Sequence, residues 1–211
     1  MNKLYTISIL FLLLSISSKA QDLEVGVKGG LSLVDVGVVS IPGIDTENQY
    51  YKMRPSYHVG AFGTVDLSKK FYLQAELLYV NKGFRYDDSR GSDSNIHLHY
   101  LTLPVLLNYR ILEKLHVGVG GELGYRLAAR SKFDNKTINV NWLYERKLDL
   151  GIDVCVKYKI NEHLNVGVRY NYGLFNIYGE RGFITDSNGD KGDKLPVYQN
   201  RELQFSVGYI L

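Results

Sequence analysis

Hydrophobic and polar residues alternate with a period of two along most of the chain, in eight runs separated by turn residues. In one run, Leu115, Val117 and Val119 alternate with His116 and Gly118. A period of two is the signature of a β-strand with one apolar face. The eight runs cover residues 23–33, 57–67, 71–80, 101–110, 115–127, 148–159, 164–174 and 202–211. The pattern predicts an all-β chain.

The segments between these runs alternate in length. Three are short, at residues 68–70, 111–114 and 161–163, and four are long, at about residues 34–55, 85–96, 128–146 and 178–199. Short turns on one side and long loops on the other are typical of antiparallel transmembrane β-barrels. We therefore predict an eight-stranded up-and-down barrel. Ten strands are the alternative, because Ile138, Val140 and Trp142 also alternate with polar residues; we interpret them as a hairpin extension above the membrane.

The same alternation fits a soluble barrel that turns its apolar face inward around a ligand. Three features favour the opposite orientation: many glycines on the polar face, 17 tyrosines, several of them near the ends of the apolar faces, and charges of both signs on the polar face. A narrow lumen needs small residues, an interfacial belt needs aromatic rings, and buried charges need partners. Strands in hydrocarbon must also form a closed ring, which predicts pairing of the last strand with the first.

Composition excludes several other classes. The 211 residues carry a formal net charge of +3 and no basic run longer than two residues, so we expect no nucleic-acid partner. No stretch of about 18 apolar residues follows the N-terminus, which argues against a helical membrane protein. The single cysteine, Cys155, has no second cysteine with which to form an internal disulfide.

The N-terminus is predicted to be a secretory signal peptide, residues 1–20. Lys3 precedes an apolar run, and Ser18 and Ala20 occupy the small-residue positions before a cleavage site. The remaining domain, residues 21–211, would lie in the outer membrane of a Gram-negative cell. Removing Lys3 and Lys19 from the 25 basic residues leaves 23, against 22 acidic residues, so the mature domain is close to neutral.

Charged residues on the polar face are expected to form a structural network inside the barrel, because buried charges must pair. The predicted members are Lys28, Glu76, Glu122, Arg126, Asp153 and Arg169. No catalytic, cofactor or metal site is predicted. Ser56 and His58 share a face without an assignable acid, and His97 and His99 share a face without a third metal ligand. The acidic loop at residues 186–193 lacks the terminal glutamate of a calcium-binding EF-hand.

Four short motifs resemble the PorT-like, porin-family outer membrane β-barrel domain. They are the segments GVKGGLS at 26–32, LQAELLY at 73–79, YLTLPVLL at 100–107 and RYNYGL at 169–174. The resemblance covers essentially the whole mature chain. It implies an eight-stranded outer membrane barrel and, for the PorT branch, a part in protein secretion across that membrane.

These observations predict a non-enzymatic barrel with a structural or interaction role at the cell envelope, and the resemblance to the PorT branch implies an accessory role in secretion. The expected partners are outer membrane lipid, the assembly machinery that would recognise the C-terminal strand at residues 204–211, and a protein bound by the extracellular loops. Two alternatives stay open at this point: a narrow channel or porin, and a soluble periplasmic barrel that binds an apolar ligand.

Overall fold

The computed structural model describes residues 23–39, 51–87, 93–134, 136–144, 146–179, 183–185, 191–194 and 197–211. The predicted signal peptide and most of the acidic loop at 186–193 lie outside these ranges. The eight long strands are β1 (Leu23–Val39), β3 (Arg54–Asp66), β4 (Phe71–Asp87), β5 (Asp93–Arg110), β6 (Leu115–Phe133), β8 (Leu148–Lys159), β9 (Leu164–Gly173) and β12 (Val197–Ile210).

The eight strands form a closed antiparallel ring, as the sequence predicts. Each pairs with its neighbours in the order β4-β3-β1-β12-β9-β8-β6-β5, and β5 pairs back onto β4. The closing seam joins β1 to β12, with Gly26 opposite Ile210 at one end and Val39 opposite Val197 at the other. The prediction that the last strand pairs with the first is confirmed.

In the described part of the chain, four short strands and one helical turn lie at the loop end of the ring. The strands are β2 (Tyr51–Lys52), β7 (Lys136–Asn139), β10 (Phe183–Thr185) and β11 (Lys191–Lys194). β7 pairs with the distal end of β6, so this segment is a hairpin extension and adds no strand to the ring. A single 3₁₀ turn follows at Asn141–Leu143. Among the described residues, no helix is long and apolar enough to cross a membrane.

The apolar faces of the strands point outward and the polar faces point into the lumen. Leu31 is 71% exposed, whereas Glu76 and Arg169 are each only 2% exposed. Aromatic residues occupy both ends of the outer surface: Phe71 packs on Tyr109 near the short turns, and Tyr57 packs on Tyr79 near the long loops. An apolar band between two aromatic belts is the outer surface of a transmembrane barrel. This orientation is opposite to that of the soluble barrel.

Glycines on the inward face allow the strands to curve tightly. A Cβ atom added to Gly30 would collide with the carbonyl oxygen of Phe205, and one added to Gly120 would collide with that of Val105. Neighbouring backbones therefore approach too closely at these positions for any side chain. The glycines of the polar face are needed to close a ring of only eight strands.

Pro104 does not change the register of β5 with either of its neighbouring strands. It pairs regularly with Glu122 of β6, and the ladder with β4 is interrupted beside it without any change of register. The bulge in β5–β6 lies instead between His99 and Tyr100, where Leu127 is the extra residue of β6. This bulge inverts the inward and outward faces of β6 beyond Leu127.

Candidate functional site

Polar side chains cross the lumen from one wall to the other. β4 and β9 lie four steps apart in the eight-stranded ring in either direction, so they face each other across the full diameter. Arg169 of β9 nevertheless donates directly to Glu76 of β4, and Lys82 of β4 donates to Asn171 Oδ1 of β9 at 3.1 Å. These contacts span the interior and fill it at mid-height.

The first of two buried ionic groups is centred on Glu76, and we call it the lower cluster because it lies toward the short turns. The Glu76 carboxylate accepts hydrogen bonds from Lys28 Nζ at 3.1 Å, from Arg169 and from Gln74 Nε2 at 2.5 Å. Period-two spacing places Gln74 and Glu76 on the same inward face of β4. One carboxylate is thus shared by two cations.

The second group, the upper cluster, is centred on Lys82, which is 1% exposed. Its ammonium donates to Glu122 Oε1 at 2.7 Å and lies 3.8 Å from Asp149 Oδ2. Glu202 is fully buried on β12 and interacts electrostatically with both Lys82 and Glu122. One ammonium thus lies close to two carboxylates and interacts with a third at longer range. Asn200 donates a further hydrogen bond to Asp149 at 2.7 Å.

Asp153 connects the two clusters. Its Oδ2 atom lies 3.9 Å from Arg169 Nη1 in the lower cluster, and its Oδ1 atom accepts a 2.8 Å hydrogen bond from Asn171, which contacts Lys82 in the upper cluster. Five of the six residues that the sequence predicted for the network therefore belong to one continuous set of contacts: Lys28, Glu76, Glu122, Asp153 and Arg169.

The sixth predicted residue, Arg126, lies apart from this network. It lies four residues, roughly 13 Å, further along β6 than Glu122, and it makes none of the described contacts with the upper cluster. Its guanidinium donates to the carbonyl oxygen of Tyr144 and to Asn141 Oδ1 at 3.4 Å, and it lies 5.4 Å from the centroid of the Tyr144 ring. Arg126 therefore anchors the connection between β7 and β8 to the barrel wall.

Sequence reasoning missed the residue at the centre of the upper cluster. Lys82 continues the inward face of β4 two residues beyond Val80, where the predicted run was ended. Extending the period of two to Phe84 would have placed Lys82 in the lumen. Asn171, Asn200 and Gln74 were also outside the predicted network, because the prediction considered only formally charged side chains.

Tyrosines close the loop end of the lumen, and we call this group the aromatic cap. It comprises Tyr51, Phe84, Tyr144, Tyr178 and Tyr198. The rings of Tyr144 and Tyr178 stack at 5.0 Å, and Tyr178 meets Tyr198 edge-on at 5.1 Å. Burial raises the pKa of the Tyr144 and Tyr178 phenols, so both stay neutral at physiological pH. Three connections between ring strands, those that contain Tyr51, Tyr144 and Tyr178, thus fold inward over the barrel.

Ser56 and His58 do not contact each other. His58 is bridged by two other serines, with Nδ1 2.9 Å from Ser32 Oγ and Nε2 2.8 Å from Ser206 Oγ. Ser56 donates its hydroxyl hydrogen to the carbonyl oxygen of Asn81. None of the described contacts of His58 involves a carboxylate. The arrangement ties β3 to β1 and β12 across the seam.

His97 and His99 stack against each other with ring centroids 6.3 Å apart, and His99 Nδ1 lies 2.5 Å from the hydroxyl of Tyr79. Within the described ranges, no three His, Cys, Asp or Glu side chains come together as a metal-binding group. Cys155 is a buried free thiol in the lumen, 3.9 Å from Asn108 Oδ1.

Comparison with known families identifies a single domain type. The model of the outer membrane protein beta-barrel domain matches residues 18–179, which include seven of the eight ring strands. No curated relative matches the chain.

Solved structures with the same architecture are distant in sequence. Neisserial surface protein A (NspA) aligns with a TM-score of 0.55 and 10% identity over 90% of this chain and all of that protein. The attachment invasion locus protein Ail of Yersinia pestis gives 0.48 and 13% over 90% and 100%, and OprG of Pseudomonas aeruginosa gives 0.47 and 14% over 89% and 95%. The likeness to NspA supports the barrel fold.

Proposed function

The chain belongs to the family of outer membrane protein beta-barrel domains and lies in the outer membrane of a Gram-negative cell; from that premise we propose that it is a non-enzymatic, closed barrel whose role is to present its loop end to a partner. The barrel anchors this end in the lipid, and the working surface is outside the membrane. The interior serves to hold the wall together.

The observation that carries this proposal is the set of contacts across the lumen. Arg169–Glu76 and Lys82–Asn171 each join opposite walls, so a solute could pass only by breaking buried ion pairs and hydrogen bonds. Above them, the aromatic cap covers the loop end. An eight-stranded barrel is just wide enough for side chains to fill, which agrees with this arrangement. A conducting role has less support.

The length of the strands supports a role for the loop end. A membrane-spanning strand needs about 9–11 residues. β6 has 19 residues and β5 has 18. At ~3.3 Å per residue, the excess amounts to roughly 25 Å of strand. β7, which pairs with this extension, and the 3₁₀ turn after it carry exposed apolar side chains, including Ile138 at 55% and Trp142 at 72%. Exposed apolar groups on a rigid support are typical of protein-binding surfaces.

The PorT-like motifs favour a specific version of this role, an accessory function in protein secretion. In that version, the partner at the loop end is a component or a substrate of the secretion system. The motifs lie in the strands at residues 26–32, 73–79, 100–107 and 169–174 and not in the loops, so the support for secretion comes from the resemblance alone.

Planar bilayer recordings test the closed barrel. We expect no conductance steps from the purified, folded protein, and no conductance from the Glu122→Gln or Arg169→Lys variants that stay folded. Steps in the unmodified protein that change size in either variant would support a narrow channel. Heat-dependent gel mobility provides the folding control.

Site-specific photo-cross-linking tests the loop-end surface. A photoreactive residue at Trp142 should give a discrete protein adduct in the native cells, whereas the same residue at lipid-facing Leu150 should give lipid adducts. If Trp142 behaves like Leu150, the interaction role loses its basis. Deletion of the gene tests the accessory role in secretion, because proteins that are normally secreted should then accumulate in the periplasm.

A further inference from the structure

The lumen has a cavity at the end opposite the aromatic cap. Its volume is about 120 Å³, well above the roughly 10–15 Å³ that a cavity needs on this measure to hold one water molecule. Residues from the strand ends and from the lower cluster line it, among them Tyr72, Gln74, His116, Lys157 and Lys159. The short turns face the periplasm, so the cavity opens to that compartment.

Cations outnumber anions around this cavity. Its lining contains five Lys or Arg side chains and two Glu side chains, Glu24 and Glu113. Three of the cations have carboxylate partners elsewhere: Lys28 and Arg169 share Glu76, and Arg110 lies 2.5 Å from Asp66. Glu24, Glu113, Glu76 and Asp66 together supply four carboxylates against these five cations, so one positive charge is in excess. Among the described residues, neither Lys157 nor Lys159 forms an ion pair.

The described hydrogen bonds of Lys157 all go to neutral groups, and Glu76 of the lower cluster acts on it only through longer-range electrostatics. Its ammonium donates to Gln74 Oε1 at 2.6 Å and to Asn108 Oδ1 at 2.8 Å, and it lies 5.5 Å from the centroid of the Tyr72 ring. Among the described residues, no carboxylate oxygen lies within ion-pair distance of it. A lysine ammonium has three donors, so two amide oxygens leave one N–H for a ligand in the cavity.

We propose that this cavity binds a small soluble oxyanion of the phosphate class, with Lys157 as the deep contact and Lys159 as the contact at the mouth. A cation in a partly dry site is costly without a counter-charge, and an oxyanion supplies both the charge and an acceptor for the free N–H. Most of the lining lies on inward strand faces and away from the lipid-facing surface, which favours a free anion over a lipid headgroup. The ligand enters from the periplasm and stops at the lower cluster, where Arg169 and Glu76 close the lumen.

Phosphorus NMR of inorganic phosphate tests the site on the folded protein in a detergent that contains no phosphate. We expect the phosphate signal to broaden with protein concentration and to give a dissociation constant in the millimolar range. Lys157→Met should weaken binding by about tenfold or more, as expected when a charge-assisted hydrogen bond to the ligand is lost. Lys157→Arg keeps the charge and should retain most of the affinity.

The matched control is Lys136→Met, which removes an exposed lysine from β7 at the opposite end of the barrel. It should bind phosphate like the unmodified protein. If Lys157→Met fails to fold by gel mobility, Lys159→Met at the mouth replaces it and should weaken binding severalfold. Undetectable binding to the unmodified protein at about 50 mM phosphate, roughly ten times the expected constant, would overturn the proposal. Equal losses in Lys157→Met and Lys136→Met would also overturn it, because phosphate would then bind without using this cavity.

Discussion

The two ionic clusters of the lumen have opposite charge compositions. In the lower cluster, Glu76 is the single anion between Lys28 and Arg169. In the upper cluster, Lys82 is the single cation among Glu122, Asp149 and Glu202. Neither cluster is neutral by itself. We call the single charge of its sign in each cluster, Glu76 or Lys82, the minority charge, and the others the majority charges. Removing the minority charge leaves every majority charge without its counter-ion. Removing one majority charge leaves the minority charge with another counter-ion.

The comparison predicts its largest effect for Lys82→Met. The variant leaves three buried carboxylates without a cation, and removing one partner of a buried ion pair typically costs about 3–5 kcal/mol. We expect a loss of at least about 4 kcal/mol in the free energy of unfolding, measured by urea titration in lipid vesicles with gel mobility as the readout. The matched variant Lys28→Met removes a majority cation and should cost clearly less. Equal costs would show that minority status does not matter.

Glu76→Gln should have the next largest effect. It removes the only anion of the lower cluster and leaves Lys28 and Arg169 facing each other, so we expect a loss of about 3 kcal/mol. The amide retains one acceptor, which makes the loss smaller than that for Lys82→Met. The same urea titration measures it. A cost below that of Lys28→Met would contradict the central role of Glu76.

Arg169→Lys tests the connection between the clusters. Arg169 reaches Glu76 with one nitrogen and lies 3.9 Å from Asp153 with the other, whereas a lysine has one ammonium and cannot serve both. We expect a loss of about 1.5–2 kcal/mol, at the lower end of the range for one hydrogen bond to a charged group. Combining it with Lys82→Met should give a non-additive loss if the two clusters are coupled through Asp153.

The smallest effect is expected for Glu122→Gln. The amide oxygen can still accept the hydrogen bond from Lys82, Asp149 and Glu202 remain as counter-charges, and repulsion between the carboxylates falls. We expect a change of less than about 1 kcal/mol, in either direction. The informative comparison is with Glu76→Gln, the same chemical change in the other cluster. A loss as large as that of Glu76→Gln would remove the distinction between the two groups.

The sequence was sufficient to predict the closed ring, because the side chains of every spanning strand must alternate between lipid and lumen. It was less informative above the membrane. β5 begins at Asp93 and β6 continues to Phe133, although residues 85–96 and 128–146 were predicted as loops. In these extensions the outward face meets water, and the inward face carries apolar residues such as Ile96 and Leu98, so the apolar positions change sides of the strand. The bulge at His99 and Tyr100 also shifts the phase of the alternation.

The site was predictable only in part for a related reason. Parity along a strand predicts which side chains enter the lumen, and five of six predicted residues do meet there. It does not give the height of each residue in a sheared ring, so Arg126 was placed in the network although it contacts Tyr144. The aromatic cap depends on Tyr144 and Tyr178, which lie in connections between strands and carry no periodic signal.

The seam between β1 and β12 has a consequence for the order of folding. Every other pairing in the ring joins strands that are successive ring strands along the chain, whereas Gly26 and Ile210 are 210 − 26 = 184 residues apart. Closing a flexible loop of that length costs about 4.6 kcal/mol in chain entropy, from the logarithmic dependence on loop length. Hairpins that close over a few residues form at far lower cost and earlier. We therefore expect a sheet with two free edges to assemble first, and the joining of those edges to be the slow step that completes insertion.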